Sequence, residues 1–434
     1  MRKRIPVVPA AEPVAAARLA NLPLEASVDL ADVAGAIEDG LLAFASATGL
    51  VVMQQMLEAE LNERLGPKHA RIPERKGNRH GRTTGSVVLG GRKVSATRPR
   101  GRSTDGTEIA LDTWAAFSSD DLLDQVVLER MLAGVATRRH ADVAEPLGTE
   151  LEAHSSATSR SAVSRRFVRA TRHALDELMA RELSELDAEV LMLDGIMVAG
   201  QCCVAALLIT SEGRKVPAGL WLGDTENKTV VTGLLADLSA RGLSTEDSLL
   251  VVIDGAKALA AGVRKVFGEQ ILIQRCTLHK RRDVAGYLGK ELGGRVDRRL
   301  GHAFGHPDPV TGLARAKAIA AELGRDHPDA AASLREGLDD MFTVRRLGIE
   351  GRLARTLTTT NPIESMISIA RTTMSHVKRW RDGSMKKRWL AAGMLEAERS
   401  FRRVKGCDEM PALVAALRRH AESVTCGSYD DAAA

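Results

Sequence analysis

Apolar and polar positions change rhythm several times along this chain. The stretch LADVAGAIEDGLLAFASATGLVVMQQMLEAELNERLG sets Leu41, Leu42, Phe44, Leu50, Val51, Met53 and Leu57 at helical spacing, which predicts one or two amphipathic helices. Further on, GSVVLGGRKVSATRPRGR alternates around Gly90-Gly91 as a short hairpin does. Three helical patterns fill residues 120 to 183: DDLLDQVVLERMLAG, ending at Gly134; VATRRHADVAEPLG, ending at Gly148; and SRSAVSRRFVRATRHALDELMAREL. At residue 188 the period switches. AEVLMLDGIMV, CCVAALLIT and VPAGLWLG are apolar runs broken at Ala199-Gly200 and at Ser211-Glu212-Gly213, the pattern of an antiparallel meander. A helix (TENKTVVTGLLADLSARG), a strand (SLLVVIDG), a helix (AKALAAGVRKVFG) and a strand (QILIQR) follow. Beyond Arg275 only helical patterns remain, through about residue 355, and a last long one begins in TTTNPIESMISIARTTMSHVKRW.

The order from residue 188, three strands, helix, strand, helix, strand, helix, is that of a ribonuclease-H-like mixed sheet with helices on its faces, an α/β fold. The helical trio before it has the outline of a helix-turn-helix, with Ser161, Ser164, Arg165 and Arg166 near the start of its third helix, where base edges are read. An ordinary helical subdomain with a solvated arginine face is the alternative.

Length and charge then narrow the picture. A chain of 434 residues has room for two or three domains at about 150 residues each. Lys and Arg number 61 against 56 Asp and Glu, a net charge of +5 that is too small to argue from. Its distribution is informative. Arg64, Lys68, Arg71, Arg75, Lys76, Arg79, Arg82, Arg92, Lys93, Arg98, Arg100 and Arg102 share their segment with one acid, Glu74. A second cluster, Lys378, Arg379, Arg381, Lys386, Lys387 and Arg388, follows Arg371. Aromatic residues make up 3% of the chain, which argues against a stacking platform for single strands and leaves contacts to a charged backbone. With no uninterrupted apolar run of membrane-spanning length and no signal-peptide core, a cytoplasmic protein without a membrane partner is expected. Cys202, Cys203, Cys276, Cys407 and Cys426 are an odd, scattered set unsuited to a disulfide framework. Nucleophile-elbow, phosphate-loop and HExxH motifs are absent from the sequence.

Candidate chemistry sits at strand ends. Asp194 closes the apolar part of LMLDG and Asp254 that of LVVIDG. Each Asp-Gly is by itself a favoured turn pair. Together they say more, because the first and fourth strands of such a sheet are neighbours and two carboxylates meeting there would hold hard cations. Glu364, in Asn361-Pro362-Ile363-Glu364, is the best third acid, on a helix whose apolar face runs Ile363, Met366, Ile367, Ala370, Met374, Val377. The same residues also read as Asn361 capping a helix with Glu364 three positions on, a pattern that needs no catalysis. Asp224 and Glu226 compete for the third place but sit where a helix start favours acids. Arg371, two turns beyond Glu364, would face a phosphate or simply solvent. Cys276-x-x-His279 has metal-ligand spacing, and His302 and His306 could complete a zinc site, although a buried cysteine beside a hydrogen-bonded histidine is the commoner arrangement.

GNRHGRTTGSVVLGGRKVSATRPRGR, the two Asp-Gly strand ends, QRCTLH, Asn361-Pro-Ile-Glu364 and Arg371 together resemble the Mutator-type DDE transposases of bacterial insertion sequences, over residues 45 to 405. The resemblance implies a ribonuclease-H-like catalytic domain with Asp194, Asp254 and Glu364 as its acidic triad, two Mg²⁺ ions (Mn²⁺ as substitute) and a helical insertion between the second and third acids. It implies double-stranded DNA as partner, cut at terminal inverted repeats and joined to a target, with a homodimer or larger assembly pairing the ends. Arg79, Arg82, Arg92, Lys93, Arg98, Arg100, Arg102, Ser164, Arg165, Arg166, Arg371, Lys378 and Arg379 are then the expected DNA-binding side chains, with Cys276, His279 and Asn361 as motif residues. The expected division is a loosely ordered extension (1–28), a helical and basic-hairpin region (29–110), a helix-turn-helix-like domain (111–185), the catalytic core in two parts (186–285 and 356–405) around the insertion (286–355), and a C-terminal helix and tail (406–434). A nuclease that cuts without joining, and an inactive DNA-binding relative, are the alternatives.

Overall fold

A computed structural model describes residues 36, 39–70, 72, 74, 76–223, 228–246 and 249–431, with side chains of the last helix up to residue 424. The extension 1–28, Arg71, Arg75, Asp224 and Glu226 lie outside the described residues. The chain falls into two units, divided between Ala170 and Thr171.

In the first unit, helix α1 (Leu41–Leu65) precedes the strands β1 (Gly77–Leu89) and β2 (Arg92–Ser103). Met53, Leu57, Leu61 and Leu65 recur every fourth position, so they form one stripe, and they are buried with Val87, Ala96 and Leu111. Each large side chain so buried contributes about 1.5–3 kcal/mol. Among the described residues α1 is the one helix long and apolar enough to cross a membrane, but its stripe is the core of this unit, and Glu58, Glu60, Glu63 and Arg64 charge its last turns. β1 and β2 pair antiparallel from Gly77↔Ser103 to Leu89↔Arg92. Gly90 and Gly91, at φ 55° and 75°, form the two-residue turn that the alternation predicts.

Next come α2 (Asp112–Ser118), α3 (Asp120–Leu132), α4 (Thr149–Ala153) and α5 (Arg160–Ala180). The helix expected over residues 135–148 is not formed. Its amides reach three residues back instead of four (Arg139 to Ala136, Asp142 to Arg139, Ala144 to Ala141), making successive turns. Gly134 breaks the chain at φ 94°, Pro146 has no amide to donate and disfavours helical backbone at Glu145, and the Glu145 carbonyl is bonded by Arg92 instead. The helix-turn-helix outline therefore loses its second helix.

The second unit holds β3 (Ala188–Val198), β4 (Gln201–Thr210), β5 (Lys215–Gly223), α6 (Lys228–Ala240), β6 (Leu250–Ile253), α7 (Lys257–Phe267) and β7 (Leu272–Arg275). The sheet order is β5-β4-β3-β6-β7, with β4 antiparallel to both its neighbours and β3, β6 and β7 parallel. It is a mixed α/β layer. Leu191, Leu193, Val251 and Ile253 are fully buried with Leu234 and Leu235 of α6 and Val263 of α7.

Helices α8 (Thr277–Gly286), α9 (Lys290–Phe304), α10 (Pro309–Asp326), α11 (Pro328–Arg335), α12 (Thr343–Arg346) and α13 (Gly351–Leu357) make the expected helical stretch, with a 3₁₀ turn at Asp339–Phe342. They build a separate core around Leu300, Leu334 and Phe342. Two residues at the end of β7 fasten it to the sheet. The Gln274 side chain donates to the Met341 carbonyl and accepts from the Val344 amide, both at 3.0 Å. Arg275, 4% exposed, donates to Glu336 (2.6 Å) and Asp340 (3.2 Å). The chain closes with α14 (Asn361–Met374), α15 (Gly383–Arg399) and α16 (Met410–Asp431).

Candidate active site

Parallel pairing of β3 with β6 runs from Val190↔Leu250 to Leu193↔Ile253, so the next residue on each strand is an aspartate: Asp194 and Asp254. Both are held by local bonds. The Gly195 amide donates to Asp194 Oδ1 (2.9 Å), and the Ala256 amide donates to Asp254 Oδ1 (2.8 Å), a short turn that stops β6. Burial pushes the Asp194 carboxyl up to about 7, and the nearby charges of Asp254 and Glu364 push the same way. Asp254 is raised too, by burial first. Among the described residues neither aspartate has a Lys or Arg ion pair.

The third acid arrives by stitching. The Cys276 amide donates to the Ile253 carbonyl (2.8 Å), which sets the start of α8 beside Asp254. The Thr277 amide and hydroxyl both bond the Thr358 carbonyl, at 3.0 and 3.1 Å. The segment QRCTLH is thereby tied to TTTNPIE, and Glu364 is brought close enough to Asp194 to act on its charge. The Thr360 hydroxyl donates to Glu364 Oε1 (2.5 Å) and lies 3.3 Å from His279 Nδ1, which is 3.8 Å from Glu364. Helix α14 starts one residue earlier than the capping pattern implies: Thr360 occupies the cap, its side chain makes no capping bond, and Asn361 is exposed in the first turn. The carboxylate of Glu364 is thus engaged by Thr360 and His279, with Ile363, Met366, Ile367 and Ala370 buried behind it.

Cys276 is fully buried against His279. Burial raises its thiol, but hydrogen bonds with His279 and Thr360 outweigh that and hold it below its usual value. The same bond to Cys276 lifts His279 to about 9. The ligand atoms of Cys276, His279 and Glu364 all lie within 4.8 Å of one another. His302 and His306 do not join them; His306 Nδ1 is engaged by its own loop at the Asp308 carbonyl (2.9 Å). The four-ligand zinc arrangement with His302 and His306 is therefore not formed among the described residues, while Cys276, His279 and Glu364 stand close enough to share an ion.

Of the other cations singled out from the sequence, several are turned inward. Arg92 is buried, 3.3 Å from Glu152 and 3.1 Å from the Glu145 carbonyl. Arg166 lies between Asp124 (2.9 Å) and Asp120 (3.2 Å). Both were expected to face DNA, and both instead hold the first unit together, because acids on α3 and in the 145–152 segment fold against them. Arg79 pairs with Glu58 (2.9 Å), Lys93 with Asp120 (2.7 Å) and Arg100 with Glu108 (2.7 Å). Arg82 bonds Gln54 (2.9 Å), and Arg98 stacks over Trp114. Arg102, Ser164, Arg165, Arg371, Lys378 and Arg379 are exposed. Thr360 and the Arg275, Glu336 and Asp340 network went unforeseen; the Thr358-Thr359-Thr360 run was their only local sign.

What the second unit presents is a set of acids just past the end of the pairing between two parallel strands, joined by a helix from far along the chain. The class is that of transposition enzymes. Within it, the chain belongs to the Mutator family of transposases, whose sequence profile matches residues 25–403. It is 28% identical over 306 residues to the transposase of insertion sequence element ISRM5 from Rhizobium meliloti, covering 68% of this chain and 73% of that protein. The transposase of element IS905 from Lactococcus lactis is 28% identical over 255 residues, 57% of this chain and 60% of that one. A probable transposase of an ISRM3-like element from Sinorhizobium fredii is 24% identical over 328 residues, covering 73% and 77%.

Proposed function

We propose that this chain is a DDE transposase with a ribonuclease-H-like core, in which Asp194, Asp254 and Glu364 hold two divalent cations, Mg²⁺ or Mn²⁺. The observation that carries the reading is the pair of aspartates just past the end of the parallel pairing between β3 and β6, Asp194 buried and Asp254 half-buried, with Glu364 drawn to them. A strand order with the first three strands antiparallel and the fourth and fifth parallel to the first supports the fold assignment. The donors fit the ions: oxygen ligands suit Mg²⁺, and carboxylates raised by burial and mutual repulsion are the ones a cation relieves. When bound, the ions activate the attacking oxygen and neutralise the leaving one.

The chain's own residues do the rest. Asp194 and Asp254 are fixed by their neighbouring amides, so they meet the ions preorganised. Glu364 is oriented by Thr360 and His279, which the Cys276 bond keeps in place. Arg371, Lys378 and Arg379 offer exposed cations on and just beyond α14 for the phosphates entering the site. Arg102, Ser164 and Arg165, with the hairpin cations Arg79, Arg82, Lys93, Arg98 and Arg100, would engage the inverted-repeat end. The cut is made at a transposon end, and the freed 3′-hydroxyl attacks target DNA from the same site, in an assembly of two or more chains. Work inside the cell on its own DNA agrees with a cytoplasmic enzyme.

Labelled inverted-repeat ends incubated with Mg²⁺ and a target plasmid test this directly. Nicked ends and joined products are expected; nicked ends alone would make the chain a nuclease, and neither product with intact binding would make it an inactive relative.

A further inference from the structure

The second unit has another cationic feature, at the end of the sheet away from the acids. Between the start of edge strand β5 and the end of α15 lies a cleft of about 530 Å³ lined by Arg181, Arg214, Lys215, Arg402 and Arg403, with Leu186, Val216 and Phe401 as its apolar wall. Arg214, Arg402 and Arg403 are exposed. The acids nearby do not balance the cations. Glu398 is taken by Arg181 through two bonds of 2.9 Å. Glu212, itself 62% exposed, reaches Arg214 and Arg403 only at 3.6 Å each. Lys215 is packed over the Phe401 ring at 4.5 Å, and burial lowers its affinity for its proton, so it favours an anion that would restore its charge balance. Nothing in the acid cluster uses this cleft.

Register gives its distance from the acids. Asp194 pairs with Ala205, and Ala205 pairs with Leu220, whereas Lys215 pairs with Ile209. Lys215 is therefore about 15 Å along the strands and about 10 Å across two of them from Asp194, at roughly 3.3 Å per residue and 4.8 Å per strand. That resultant of about 18 Å equals roughly five base pairs of duplex at 3.4 Å each.

We propose that this cleft is a second DNA-backbone site, gripping duplex phosphates some five base pairs from the point of cleavage or on a second duplex. Four of its five cations are arginines, whose planar fork matches phosphate oxygens, and the apolar wall carries no ring free to stack on a base. The inference rests on the proposed DNA chemistry of this chain, but its test can fail separately.

The test compares the full-length wild type with the triple variant Arg214→Gln/Arg402→Gln/Arg403→Gln and with the charge-keeping triple Lys variant. Binding is measured against salt on two duplexes, one bearing the inverted-repeat end and one unrelated. Each lost phosphate contact should reduce the slope of log affinity against log salt by about 0.9. The Gln variant should lose about two to three such steps and at least tenfold in affinity, while the Lys variant keeps most of both. Loss on the end duplex alone assigns the cleft to the transposon end; loss on the unrelated duplex alone assigns it to target DNA. If wild type binds and nicks while the Gln variant shows an unchanged slope on both duplexes, the cleft belongs to some other anion, such as an acidic protein segment, and the proposal is overturned. If wild type neither binds nor nicks, it is the function itself that fails. Equal thermal melts for wild type and the Gln variant exclude misfolding, and the Lys variant's retained binding excludes it independently.

Discussion

The two units treat their acids in opposite ways. In the first, Asp120 and Asp124 each meet two or more cations: Lys93, Arg166 and Arg169 converge on them, with Arg169 at 2.6 Å from Asp124. The hydrogen bond from Lys93 is the main reason that the Asp120 carboxyl is held below its usual value. In the second unit, among the described residues, Asp194 and Asp254 have no Lys or Arg ion pair, and burial pushes both upward despite the nearby charge of His279. Charge in one unit is spent on holding the fold, and in the other it is left unbalanced where a ligand can balance it. Counting cations along the sequence misleads for this reason: a basic hairpin read as a bare positive surface is partly paired with acids from α1, α3 and residue 108.

Substitution should expose the contrast most strongly at Asp194. Asp194→Asn is expected to lower nicking by at least about 10³-fold and to leave end binding within about twofold, since it removes a ligand and not a DNA contact. A variant that nicks normally would dissolve the site. Metal should follow. Saturating Mg²⁺ at about 100 times its Kd should stabilise the wild type by about 2.7 kcal/mol, read as a rise in melting temperature, and should have no such effect on Asp194→Asn/Asp254→Asn. A rise of the same size in the double variant would move the ions elsewhere.

Asp124→Asn provides the opposite case. It breaks bonds to Arg166 and Arg169 in a half-dry setting, and should destabilise by about 1–3 kcal/mol in a denaturant melt, whereas Asp194→Asn in metal-free buffer should be neutral or stabilising. Equal losses at both positions would erase the difference between the units.

The two units also differ by a pH dependence of opposite sign. Asp194 binds its proton up to about pH 7 when folded but only to about 3.8 when unfolded, so the native state holds more protons in that window. Its contribution to stability is therefore present below about pH 4 and lost as pH rises through about 7. Asp120, with a lowered carboxyl, contributes stability present above its unfolded value of 3.8 and lost as pH falls. Subtracting the metal-free stability curve of Asp194→Asn from that of wild type should leave a difference that falls between pH 4 and 7. The corresponding subtraction for Asp120→Asn should leave one that falls only below about pH 4.

Much of the second unit was legible because its signals are local. Apolar runs of strand length with Gly turns predict β3 to β7, and the Asp-Gly that closes the apolar part of two of them marks where the acids meet. Helical spacing at Ile363, Met366, Ile367 and Ala370 likewise gives the buried face of α14 and hence the side on which Glu364 sits. What the sequence hid was long-range pairing. Nothing near Arg92 or Arg166 announces that acids about 40 to 60 residues away in the chain will turn them inward. The helix expected after Gly134 gave way to successive turns, and Pro146 inside its pattern, which lacks an amide and disfavours helical backbone at Glu145, was a local sign against it. Thr360 was invisible because a lone hydroxyl has no periodicity, and only the fold shows that it bridges Glu364 and His279.

The stitch between Thr277 and Thr358 has a consequence in time. Glu364 lies 110 positions after Asp254, with helices that have a core of their own between them. A ribosome adding about 5–20 residues per second exposes the two aspartates roughly 5–20 s before the glutamate. A nascent chain therefore emerges with its basic hairpin already synthesised and its acid set incomplete.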